Sequence, residues 1–150
     1  MALLYDDMRA AEEVTKCDEV FAGRCSPTFS LPKILWMQNH LDLPEDVIFL
    51  HAADFLNSWL AGTPEIPTDF TNAMKTGVGP VLGKWPRGLK DLGLPEVVAP
   101  GRRFGFLRED LRRRWRLPRE VALVSGATDS NAAFYASGAA SPGDWSTTIG

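Results

Sequence analysis

Residues 121–150, VALVSGATDSNAAFYASGAASPGDWSTTIG, limit what this chain can fold into more than any other stretch. Residues 121–125 form a short, nearly unbroken apolar run closed by Gly126, the pattern of a strand buried on both faces. Thr128, Asp129 and Ser130 carry helix-starting side chains, residues 131–137 are small and helix-tolerant, and Gly138 is a stop. The run therefore predicts a strand handing over to a helix at Asp129, the end of a sheet where open α/β folds take their ligands. Ser141, Pro142, Gly143 and Asp144 make a turn, and residues 145–149 alternate like a second strand that stops at Gly150. A strand running into Ser/Thr and Gly presents backbone amides to a phosphate without steric cost. Two readings of Asp129 stay open at this level. It is either an N-cap that satisfies free amides of the first helical turn or a carboxylate available for chemistry.

A chain of 150 residues is long enough for one domain with a real core and short for a two-domain enzyme. The net charge of -3 argues against nucleic acid as a partner. The single basic cluster, EDLRRRWRL at residues 109–117, reads as a helix with acids at its start, arginines in its last turns, and Leu111 and Trp115 facing inward. No apolar run reaches the roughly 20 residues a membrane helix needs, and the N-terminus lacks a signal pattern, so the expectation is a cytoplasmic protein with no membrane partner. Cys17 and Cys25 are too sparse for a disulfide framework and share no ligand spacing with His40 or His51, so no metal is assigned to protein side chains.

Along the chain, residues 2–5 predict a short strand and residues 8–15 a helix. Residues 26–40, SPTFSLPKILWMQNH, predict a helix with Ser30 at its start, Pro32 in the first turn, Trp36 in the core and Lys33 on the surface. Residues 52–61 predict a helix whose face is Phe55, Leu56, Trp59 and Leu60, closed by Gly62. Thr68, Asp69 and Thr71 suit a cap that bonds its own backbone. Residues 76–103 are rich in Gly and Pro and read as a surface connection with Trp85 tucked against the body.

Several of these stretches together resemble the FGGY carbohydrate kinases of the actin-like (ribonuclease H-like) ATPase superfamily. Tyr5, Asp7 and Arg9 fit a W-x-D-x-R pattern with Tyr for Trp. Ser30, Lys33, Ile34, Trp36, Met37, Asn39 and His40 fit the family signature around K-x-x-W, with Thr28 departing from its first position. ADFLNSWLAG, TDFTNAMK and residues 101–106 resemble a helix, its continuation and a hairpin of the family, and GATDSNAA followed by ASGAASPGDWSTTIG resembles its inter-domain junction.

The resemblance implies an α/β, partial actin-like ATPase fold. Residues 1–120 would be the C-terminal part of the N-terminal, sugar-binding domain, and residues 121–150 the truncated start of the C-terminal, ATP-binding domain. It further implies ATP-dependent phosphorylation of a sugar hydroxyl, with ATP and Mg²⁺ as cofactors and a sugar as substrate. The T-D-S form around Asp129 resembles the ketopentose kinases of the xylulokinase and ribulokinase type most closely. Asp129 would be the general base, Asn131, Asp7 and Arg9 would join it in the sugar pocket, and Thr147, Thr148 and Gly150 would meet the ATP phosphates.

Only the middle third of a family member is covered, so the expectation is a fragment inactive alone. The alternative is a non-catalytic module, derived from a kinase, that binds a sugar or a partner. A homodimer would be one way to cover the strand edge that such a module leaves.

Overall fold

The computed structural model describes residues 1–79, 84–89, 91–118 and 120–147. Residues 1–9 carry no strand, contrary to the expectation for residues 2–5, and the side chains of Leu4 and Tyr5 face solvent. Their carbonyls are engaged instead by the Lys33 ammonium, which donates to Leu4 O and, at 2.9 Å, to Tyr5 O. Lys33 is thus buried rather than on the surface, and burial pulls its pKa below the usual lysine value. The helix expected over residues 8–15 is a 3₁₀ helix, Ala11–Cys17, that runs into a single α turn, α1 (Asp18–Phe21).

Helix α2 (Ser30–His40) starts on Ser30 with Phe29 as its cap, and Leu31, Pro32, Lys33 and Ile34 form its buried face. Trp36 is half-buried and stacks on His40, with ring centroids 4.6 Å apart. The 3₁₀ helix docks on α2 through Glu13, a buried carboxylate that pairs with Lys16 at 2.6 Å and accepts from Asn39 Nδ2 at 3.0 Å. Lys16, then Asn39, holds the Glu13 carboxyl below its ordinary value of 4.5. A depressed carboxyl pKa means that the docking contribution is complete above the unfolded value and is lost as pH falls through the lower folded one. On acid titration, the Asn39 side-chain amide resonances should therefore hold their folded positions at pH 4.5 and move only below it. Movement centred at or above 4.5 would contradict the pairing.

Helix α3 (Ala52–Ala61) has the predicted bounds and ends on Gly62 at φ 76°. His51 and Asp54 form a reciprocal capping box at its start, and His51 also reaches the buried hydroxyls of Thr68 and Thr76 at 3.1 Å each. Phe55, Leu56 and Trp59 are exposed, so of the four-residue apolar face read from the sequence Leu60 alone packs inward, against Leu107, Leu111 and Leu123. Strand β1 (Thr68–Asp69) leads directly into α4 (Phe70–Ala73), which is continued by a 3₁₀ turn, Met74–Thr76. β1 pairs in parallel with β2 (Val97–Val98). Between them the chain passes so close to residues 47–49 that a Cβ on Gly93 would lie 1.9 Å from Val47 O, and Phe49 N donates to Gly93 O at 2.8 Å. Trp85 is fixed as expected, its indole donating to Pro95 O at 2.7 Å.

Strand β3 (Arg103–Phe106) precedes α5 (Glu109–Arg114) and pairs antiparallel with β4 (Ala122–Val124), with an irregularity between Arg103 and Gly105. Leu107, Leu111 and Leu123 close a small core here, while Cys17, Leu31 and Leu89 form another. Burial pushes the Cys17 thiol up to about 12, so it acts as a small apolar group. Trp115 is exposed rather than inward and lies beside Trp59, with ring centroids 6.4 Å apart. β4 is not buried on both faces. Leu123 is inward, packed with Leu107 and Leu111, while Ala122 and Val124 point to the opposite face and are exposed. Helix α6 (Asp129–Ala136) follows as expected. Residues 145–147 form no strand, and Trp145 is exposed. Among the described residues no helix is long and apolar enough to cross a membrane.

Candidate active site

The exit of β4 is pinned before α6 begins. Ser125 is buried, its hydroxyl donates to Ala99 O at 2.8 Å and accepts from Arg102 N at 3.1 Å, and its own amide donates to Arg102 O at 2.9 Å. Three residues later Thr128 N donates to Thr71 Oγ1 at 2.8 Å, tying the start of α6 to α4 across 57 residues of sequence. Thr128 occupies the N-cap position, in extended backbone at φ -65° and ψ 154°, and Asp129 is the first helical residue.

Asp129 is therefore not the cap. Its side chain is exposed, and its Oδ1 accepts from Ser130 N at 2.7 Å and lies 3.4 Å from Ser130 Oγ. Oδ2 has no hydrogen bond among the described residues. A carboxylate in the first turn of a helix is favoured by the helix dipole, and a free oxygen leaves it able to accept a proton from outside the chain. Asn131, half-buried in the same turn, donates Nδ2 to Thr128 Oγ1 at 2.8 Å, so the amide and the cap hold each other.

Asp7 and Arg9 form an ion pair at 2.9 Å, and the Arg9 guanidinium lies 5.1 Å from the Trp36 ring centroid. The Arg9 hydrogen bonds keep the Asp7 carboxyl below the usual range. No hydrogen bond or ion pair among the described residues joins this pair to Asp129 or Asn131. The segments that carry the two groups reach consecutive elements, α4 and the 3₁₀ turn that continues it. Thr71 of α4 holds Thr128, and Lys75, four residues on, sits with its ammonium 4.7 Å from the ring centroid of Tyr5, two residues before Asp7. Thr147 is exposed, and Thr148 and Gly150 lie outside the described residues. Two surface hollows, about 530 Å³ beside Ile66, Pro95 and Arg102 and about 350 Å³ beside Leu43 and Asp91, are lined by none of the candidate residues. Among the described residues no cluster of His, Cys, Asp or Glu could hold a metal ion.

Sequence reasoning missed two residues. Lys33 looked like a surface lysine, although it lies in the K-x-x-W stretch that carried the resemblance. Thr71 looked like a residue that bonds only its own turn, and nothing local signals a partner as distant as Thr128.

No family model matches the chain. It is 30% identical over 149 residues to a xylulose kinase of Lactococcus lactis subsp. lactis (strain IL1403), an alignment covering 88% of this chain and 29% of that protein. The fold is similar to the crystal structure of a "xyloylose kinase" from Brucella ovis, with a TM-score of 0.71 and 25% identity over 86% of this chain and 29% of that one. The chain thus spans about 29% of the length of the relatives it matches. Over that span the resemblance to a carbohydrate kinase read from the motifs holds in both sequence and fold.

Proposed function

We propose that this chain supplies the sugar-facing residues of an ATP-dependent carbohydrate kinase, with Asp129 as the general base. The observation that supports this most is the state of Asp129: exposed at the exit of β4, held by a fixed helix start, with one carboxylate oxygen unpartnered among the described residues. The similarity to a protein named xylulose kinase favours a ketopentose, xylulose or ribulose, as acceptor. In this reading residues 1–120 end the sugar-binding domain and residues 121–150 begin the ATP-binding one.

A sugar hydroxyl is a poor nucleophile at neutral pH. A carboxylate within hydrogen-bond reach takes its proton as the oxygen attacks the γ-phosphorus, a contribution of roughly 10²- to 10⁴-fold. Bound ATP·Mg²⁺ supplies the transferable phosphoryl group and the charge neutralisation. Thr147, Thr148 and Gly150 are assigned to the phosphates through backbone amides and hydroxyls. Asn131 orients a neighbouring sugar hydroxyl, and the Asp7–Arg9 pair offers both an acceptor and donors to others.

A second reading, a module that binds a sugar or a partner without chemistry, is favoured by the exposed apolar side chains of Phe134, Tyr135 and Trp145. ADP release separates the two. The polypeptide encoded by the whole reading frame should release ADP in the presence of xylulose or ribulose, and the 150-residue chain alone should not. Binding of the sugar by the whole polypeptide without ADP release would favour the module.

A further inference from the structure

We propose that Thr71 is a positioning residue for the general base, setting the place of Asp129 through the Thr128 amide; this rests on the kinase reading above. The argument is one of hydrogen-bond capacity. A threonine hydroxyl has one proton and two lone pairs. Here the proton is committed, because Thr71 Oγ1 donates to Asp69 Oδ1 at 2.5 Å. Asp69 cannot turn away, since it is buried and also accepts from Thr71 N at 2.8 Å, Asn72 N at 3.1 Å and Asn72 Nδ2 at 2.5 Å. The hydroxyl is thereby fixed as an acceptor, and the donor it meets is Thr128 N at 2.8 Å.

That bond falls on the N-cap, one residue before Asp129, while Asn131 grips the Thr128 hydroxyl from the helix side. The first turn of α6 is held from α4 and from within, but among the described residues the Asp129 side chain is held only by its neighbour Ser130. Removing the Thr71 oxygen would let the helix start shift without touching the carboxylate. A general base displaced by about 1 Å loses up to about 100-fold in rate with little change in substrate affinity.

The test uses the whole polypeptide with ketopentose and ATP. Thr71→Val, similar in shape but without the hydroxyl, should lower kcat by roughly 10- to 100-fold with KM for the sugar within about threefold. Thr71→Ser, which keeps the hydroxyl, should restore most of kcat. Unchanged kcat in Thr71→Val, or an equal loss in Thr71→Ser, would overturn the proposal.

Should Thr71→Val fail to fold, Thr128→Pro deletes the same bond from the donor side, at a φ of -65° that proline adopts. It is compared with Thr128→Val, which keeps the amide. Thr128→Pro should be the slower by at least about tenfold, and equal rates would again overturn the proposal. Absence of sugar-dependent turnover in the unaltered polypeptide would remove the kinase reading itself, and it is seen before any variant is measured.

Discussion

Asp129→Asn should lower sugar-dependent turnover of the whole polypeptide by roughly 10²- to 10⁴-fold, leave nucleotide affinity unchanged and lower thermal stability only slightly, by the lost attraction of an exposed carboxylate to the helix start. That range corresponds to about 3–5 kcal/mol of barrier. The substitution separates chemistry from structure because the carboxylate has so little structural work. Its hydrogen bonds go from Ser130 N and Ser130 Oγ to Oδ1, an atom that asparagine retains as a carbonyl oxygen. The helix start is held by Thr128, Thr71 and Asn131, none of which is hydrogen-bonded to the Asp129 side chain among the described residues. An amide cannot accept the sugar proton, so the reaction should suffer far more than the fold. Coupled ADP-release kinetics beside a thermal melt would check both halves. Comparable turnover in the variant would make Asp129 an ordinary first-turn acid.

Asp69→Ala should be the most damaging of these substitutions to the fold, costing about 3–5 kcal/mol. Asp69 caps α4 and is almost completely buried. Its loss leaves two backbone amides, one hydroxyl and one side-chain amide without the acceptor they share. Water does not reach the site freely, so those donors would keep their full desolvation cost rather than exchange one partner for another. For a chain of this size the melting temperature should fall by on the order of 10 °C. Asp69→Asn retains an acceptor for the amides but points an NH₂ at a second donor, and should fall between. A melt of Asp69→Ala within a few degrees of the unaltered chain would show that another group takes over the acceptor role.

Features carried by a few neighbouring residues were legible from sequence. Helix α3 was found at both ends because the acid near its start and the glycine after its last turn are local signals. The cap at Asp69, the helix through Trp36 and the handover at Asp129 were legible for the same reason. Features that depend on what covers a surface were not. The run at residues 121–125 looks doubly buried, and Phe55, Leu56 and Trp59 look like a core face, because periodicity records which side chains are apolar and not what lies against them.

The family resemblance supplied roles for Asp7, Arg9 and Asn131 that their spacing alone did not, and it extends to a fold similarity over 86% of the chain. The tie from Thr71 to Thr128 lay beyond both kinds of reading. A hydrogen bond between distant segments needs only one oxygen and one amide, and those occur everywhere in a sequence.

The Lys33 clasp on Leu4 and Tyr5 has an evolutionary corollary. An ammonium that grasps carbonyl oxygens recognises the path of the main chain and is blind to the residues strung along it. The clasp itself therefore places no demand on the side chain at position 4, whereas the Tyr5 ring answers to a separate contact, the Lys75 ammonium 4.7 Å away.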